Sequence, residues 1–355
     1  MKNFTKSAIG ALALCSMSVF SASAQFKPEL NTGLLFHTYL QAQQEGFGST
    51  DSDSKDYGYE AAVYRARILF ETKLSEKDYF FFETDISASI NQQGKTAAVR
   101  VLDAQYDHTF CDAFKLSAGK MLVSFNRNGL QTGGTLMAND FAYFQYNASG
   151  IMDNDCGRDV GINLSGSLLD KKLKYSVGAF MGHDFTSDPD VLRYIGRVQY
   201  NIIGEDNYSG TNLGEGKTLS VAAGVDNQGE YIAAGVDAFL DMPAGDAGSV
   251  TANFAYSWMT GGDSAKKYSV ALPEQDVVFL ELGYYFKSCK LQPWVKYELS
   301  SVRDGGMDDT VYGGGLNYFF NGYGTNVRLS YLARENSVIN KSFSSVQLQL
   351  QLFIF

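Results

Sequence analysis

The chain has 355 residues, with 29 Lys and Arg against 39 Asp and Glu, for a formal net charge of −10. That balance argues against nucleic acid as a partner. Aromatics make up 14% of the chain, with 25 Phe and 22 Tyr beside 36 Gly and only 5 Pro. Beyond the N-terminal segment no apolar run reaches the roughly 20 residues of a membrane helix, which excludes a helical membrane protein and favours strands with aromatic girdles.

At the front, Lys2 and Lys6 precede an apolar run from Ala8 to Phe20, then Ala22-Ser23-Ala24 before Gln25. A basic start, an apolar stretch and an A-x-A site predict a cleaved secretory signal peptide over residues 1–24, with 25–355 as the exported domain. Leu14 before Cys15 makes a poor lipoprotein site. The remaining Cys111, Cys156 and Cys289 are an odd number in an exported chain, so free thiols are expected.

From there the chain is a series of alternating segments, each with one apolar and one polar face. Ala62, Tyr64, Ala66, Ile68 and Phe70 oppose Arg65, Arg67 and Glu71; Phe80, Phe82, Thr84 and Ile86 oppose Glu83 and Asp85. Val160, Ile162 and Leu164 oppose Asp159 and Asn163, and Val278, Leu280, Leu282 and Tyr284 oppose Glu281. The last segment is the most regular: Val346, Leu348, Leu350, Leu352 and Ile354 on one face, Gln347, Gln349 and Gln351 on the other. Phe355 falls on the glutamine parity, which predicts a curl or a bulge at the terminus.

Counted this way, strands fall at 30–43, 59–73, 78–91, 98–109, 114–124, 158–168, 172–182, 191–203, 217–227, 230–241, 248–260, 276–287, 290–302, 310–320, 325–334 and 343–355, sixteen in all. An even number of strands long enough to cross a bilayer at a tilt predicts an all-β, transmembrane, antiparallel up-and-down β-barrel. Loop lengths agree. Connections such as 74–77, 110–113, 169–171 and 321–324 are short, and those between them, 44–58, 125–157 and 261–275, are long. With both termini in the periplasm, that is the outer-membrane arrangement. The long polar stretch 204–216 breaks the rule.

The longest connection, 125–157, carries Phe125, Arg127, Asn128, Phe141, Tyr143, Phe144 and Tyr146. A loop this aromatic is expected to fold inward and narrow the lumen. Pore-lining and constriction candidates are Arg65, Arg67, Glu83, Asp85, Asp103, Lys120, Arg127, Arg158, Asp159, Arg193, Arg197, Phe141 and Tyr143. Their signs are mixed, so most are expected to pair and stiffen the wall, without a single-sign ring that would select ions. Leu350, Leu352, Phe353 and Phe355 are the expected signal for the barrel assembly machinery.

Tyr64-Arg-Ala-Arg-Ile-Leu-Phe-Glu71 followed by Asp78-Tyr-Phe-Phe-Phe-Glu-Thr-Asp85 resembles the opening hairpin of the phosphate-selective porin O and P family. Leu102-Asp103-Ala104, Leu116-Ser-Ala-Gly119-Lys120, Arg158-Asp-Val-Gly161 and Tyr175-Ser-Val-Gly-Ala-Phe-Met-Gly182 continue in that family's order, over most of residues 59–260. The resemblance implies a homotrimeric 16-stranded porin of a Gram-negative-type outer membrane with an inward-folded third loop. Leu122 and Ser124 stand where the family has a lysine and a proline, and the chain is acidic. The expected function is therefore a water-filled channel for passive diffusion of small hydrophilic solutes or ions, with phosphate or other anions a narrower version.

An enzyme is not expected. The histidines are His37, His108 and His183, no G-x-S-x-G elbow occurs, and Gly214-Glu-Gly-Lys217-Thr218 lies between strands rather than opening a helix. No ligand spacing suggests zinc or calcium, and no cofactor is expected. The alternative is a plugged barrel that scaffolds an outer-membrane complex, with 125–157 and 204–216 as plugging or docking elements.

Overall fold

The computed structural model describes residues 29–47, 56–87, 99–145, 157–182, 192–229, 231–260, 274–303, 307–337 and 341–355. The leader 1–24, loop residues 146–156 with Cys156, strand residues 88–91, and His183 lie outside the described residues.

Period-two alternation builds sixteen antiparallel strands in one closed barrel. They are β1 Leu30–Gln44, β2 Tyr57–Lys73, β3 Asp78–Asp85, β4 Arg100–Cys111, β5 Phe114–Leu122, β6 Arg158–Leu168, β7 Leu173–Phe180 and β8 Arg193–Ile203. The second half comprises β9 Thr218–Gln228, β10 Tyr231–Pro243, β11 Gly248–Thr260, β12 Gln275–Phe286, β13 Leu291–Val302, β14 Met307–Asn321, β15 Thr325–Asn336 and β16 Lys341–Ile354. Each strand pairs with its sequence neighbours, and β16 closes on β1 from Leu34↔Ile354 to Gln43↔Ser345. Among the described residues no strand of the sheet is left without a neighbour on either side.

The two faces of the wall differ sharply. On β16, Gln349 and Gln351 are fully buried inside, while Leu348, Leu350 and Leu352 are about 40% exposed outside. Outward apolar residues meet across neighbouring strands at Phe254↔Leu280, Leu282↔Val295, Leu316↔Leu329, Leu329↔Leu348 and Leu348↔Leu40. A soluble monomer does not carry such a belt, whereas a bilayer covers it. Aromatic pairs rim the short-turn end: Tyr284 and Phe286, Tyr318 and Phe320, and Phe110 and Phe114, with ring centroids 4.6, 4.7 and 4.9 Å apart.

Of the register shifts between the described strands, two change which face the candidate residues take. The register slips between His37 and Thr38, leaving Tyr64 without an opposite number. Ala62 then pairs with inward Tyr39, and the Tyr64 hydroxyl donates to Asp140 inside the barrel at 2.5 Å. The expectation that Ala62 and Tyr64 share the outer face with Ile68 is thereby corrected: one extra residue reverses the parity beyond it. A second slip beside Glu83 leaves Leu102 unpaired and fully buried. At the terminus no bulge shifts the register, and Phe355 itself lies beyond the last pair. Leu35↔Phe353 and Leu34↔Ile354 continue in register, and Phe355 turns to Phe81, ring centroids 6.3 Å apart. Cys111 and Cys289 are exposed free thiols.

At one end the connections 74–77, 112–113, 169–172, 244–247, 287–290 and 322–324 are tight turns, and 204–217 is the long exception. Of the longest connection at the other end, the described residues 123–145 turn into the barrel.

Candidate functional site

The inner loop, residues 123–145, is positioned from its first residues. Asn126 caps a single helical turn, Arg127–Leu130, by accepting from Gly129 N at 2.9 Å. Phe125 is fully buried with Met121, Val123, Phe180, Ile195 and Tyr231. Its carbonyl fills the space beside Gly224 of β9, where a Cβ would lie 2.1 Å away. A side chain at that wall position would push the loop off the sheet.

Beyond that turn the loop runs along one side of the lumen, bonded to successive strands. Asn253 donates to Asn128 at 3.1 Å, Asn317 to the Met137 carbonyl at 2.7 Å, and Arg328 to the Ala138 carbonyl at 2.9 Å. Gln351 donates to the Gly134 carbonyl at 2.8 Å, and Arg65 pairs with Asp140 at 2.8 Å. The Glu298 carboxylate accepts from Tyr143 N and Phe144 N at 2.7 and 2.8 Å. Backbone amides that would otherwise be stranded inside the barrel are thus satisfied by wall side chains. The anchoring strands are mainly β10 to β16 together with β2, and Arg197 of β8 adds a bond to the Phe125 carbonyl at 3.1 Å.

The opposite side of the lumen is open. A cavity of about 530 Å³ lies against β4 to β8, lined by Lys115, Ser165, Lys174, Tyr175, Arg197 and Gln199 from the wall. Val123, Ser124 and Leu130 of the loop close it on one flank, and Glu205 and Tyr208 of the 204–217 connection on another. Glu205 pairs with Lys174 at 2.7 Å, and that lysine holds its carboxyl below the usual range. Burial pushes the Asp206 carboxyl up, but the Arg127 guanidinium and the hydrogen bonds from Tyr208 N and Ser220 outweigh it and hold it low.

The charges expected to line the lumen are brought together largely as ion pairs. Arg67 bridges Glu83 and Asp85 at 3.0 and 3.2 Å, and Arg158 bridges Glu83 and Asp103, both at 3.1 Å. Arg193 sits between Asp226 at 2.6 Å and Asp159 at 3.1 Å, and Arg197 pairs with Asp237 at 2.5 Å. The Arg65 guanidinium lies 5.1 Å from the Phe141 ring centroid, and that of Arg334 lies 5.2 Å from Tyr143.

Two candidates are placed otherwise than expected. Lys120 pairs in register with Ala104 and exposed Val160, on the outward parity, and its Nζ donates to the Val101 carbonyl at 2.8 Å beside the bulge at Leu102. Arg127 does not face open lumen: it is fully buried, stacked 3.6 Å from the Phe239 centroid and bonded to Asp206 at 2.8 and 3.0 Å. At the terminus, Leu350 and Leu352 face outward, while Phe353 follows the inward parity and lies beside Gly134.

Sequence reasoning missed Asp140, Asp206, Asp226 and Asp309, each the partner of a basic residue. Asp226 could have been read from parity alone. Asp206 had only one signal, the excess length of its connection.

No protein-family model matches the sequence, and no curated protein matches it. Solved structures do match in shape. An anion-selective porin from Comamonas acidovorans aligns with TM-score 0.64 at 10% identity, covering 92% of this chain and 100% of that one. The outer membrane channel DcaP of Acinetobacter baumannii aligns with TM-score 0.60 at 14% identity, covering 94% and 99%. A mutant Rh. blastica porin aligns with TM-score 0.53 at 18% identity, covering 92% and 100%. At these identities the likeness is one of fold: the chain has the porin-type barrel.

Proposed function

We propose that this chain is an outer-membrane porin, a water-filled channel for passive diffusion of small hydrophilic solutes or ions. One observation carries the reading: a closed barrel with an apolar exterior encloses a cavity of about 530 Å³, with Lys115 and Lys174 in its lining, beside an inward-folded loop. Only closed barrels and helices satisfy their backbone within lipid, and a barrel of this strand number leaves room for an aqueous path. Residues 1–24 act as the export leader, the terminal strand is read by the barrel assembly machinery, and the barrel assembles as a homotrimer in the outer membrane.

The cavity lining carries Lys115, Lys171, Lys174 and Arg197 against Asp112 and Glu205. Lys115 is paired with Asp107 and Arg197 with Asp237 behind the lining, so the support for a weak preference for anions, phosphate among them, rests on Lys171 and the partly exposed Lys174. Single-channel recording in planar bilayers under a salt gradient tests both levels. Discrete open steps with an anion-side reversal potential are expected, and phosphate should reduce the chloride current only if the finer reading holds.

A second reading has one observation in its favour. The 204–217 connection enters the barrel and bonds the inner loop, as a plug would. A folded, heat-modifiable barrel that passes no current would make the scaffold the better account.

A further inference from the structure

The 204–217 connection is an exception among its neighbours, and its contacts suggest why. Arg127 Nη2 donates to the Ser209 carbonyl at 2.6 Å as well as to Asp206, and Gly210 N donates to the Thr135 carbonyl, also at 2.6 Å. A Cβ at Gly210 would lie 2.2 Å from Met137 N, so the loop backbone rests directly on the connection.

The far end of the connection is tied to the wall. Asp241 of β10 accepts from Thr211 Oγ1 at 2.9 Å, Asn212 N at 3.0 Å and Thr251 Oγ1 at 2.7 Å. Tyr323, in the turn between β14 and β15, accepts from Thr211 N and donates to Thr211 O, each at 2.9 Å. One segment therefore spans from β8 to the far side of the barrel beneath the loop. Both segments also border the same cavity, Leu130 from above and Glu205 and Tyr208 from beside it.

We propose that 204–217 is a clasp inserted from the periplasmic mouth, with Asp206 the positioning residue that holds Arg127, and through it the part of the inner loop beyond Arg127, clear of the cavity. The bore is then set by two segments entering from opposite ends. Neither acts alone. This inference rests on the channel reading and adds to it a determinant of pore width outside the inner loop.

The test is recording of Asp206→Asn beside the wild type, with heat-modifiability checking that each is folded. Loss of a charge-assisted bond should give about tenfold more time in a second conductance level, with passage of sugars too large for the wild type. Asp206→Glu, which keeps the charge, should return towards the wild-type trace. Tyr323→Phe loosens the distant anchor without touching Arg127, so it carries the test if Asp206→Asn does not fold, with the same change in smaller measure. Folded variants with the wild-type level and size limit would overturn the clasp and leave the porin reading standing. A silent wild type opened by Asp206→Asn would support the clasp, whereas silence in every form would overturn both.

Discussion

The two sides of the lumen are built from the same kind of strand and do different things. From β10 round to β16 and β2, inward side chains are spent on the inner loop: Glu298 on two amides, Asn317 and Arg328 on carbonyls, Arg65 on Asp140. From β4 to β8, inward Lys115, Ser165 and Lys174 are only partly covered and face the cavity. Polar side chains inside a barrel thus serve as structural cement where a loop covers them and as a channel surface where none does. Burial separates the two roles; residue type does not.

The harshest way to break the comparison removes its frame. Deleting Leu350–Phe355 takes away much of the seam to β1, including the pairs from Leu34↔Ile354 to Thr38↔Leu350. Both sides should be lost together, with no heat-modifiable barrel recovered from the outer membrane. Normal insertion of the truncated chain would show that closure does not depend on these residues.

Within an intact barrel, the anchoring side should be sensitive to stability. Glu298→Gln weakens two charge-assisted bonds from the loop at a fully buried carboxylate, and about 1.5–3 kcal/mol of loop anchoring should go with them. A lower denaturant midpoint in detergent, with noisier current, is the expected result. An unchanged midpoint would mean that the loop is held elsewhere.

On the cavity side the same kind of change should do the opposite. Lys174 and Glu205 form a partly exposed pair, with side chains 22% and 42% accessible, so Lys174→Gln should cost less than about 1 kcal/mol. Its effect should appear in the reversal potential, shifted towards cations by loss of a basic lining group. A large loss of stability with no shift in selectivity would erase the distinction between the two sides.

Much of this architecture was legible beforehand. The segment 158–168 coincides with β6, and most other strands begin and end close to their expected positions, the exception being β3, expected over 78–91 and ending at Asp85. The agreement arises because alternation is a local property that a closed, half-lipid-facing sheet enforces residue by residue. Lys120 was also readable: it shares parity with Leu116 and Ala118, and resemblance to a motif placed it in the pore against that parity. Tyr64 was not readable, since a bulge is set by the partner strand and leaves no mark in its own sequence.

By itself, then, the amino-acid sequence determined the strand number, the apolar exterior and the pairing of a mixed-sign interior, all of which follow from period and composition. Tertiary structure alone decided which basic residues face open space, where Arg127 finds its counter-charge, and that 204–217 turns inward. Those outcomes depend on contacts between segments far apart in the chain, Arg127 with Asp206 and Thr211 with Tyr323. No local pattern encodes the direction in which a connection folds; it is settled by which wall groups satisfy its backbone once the barrel has closed.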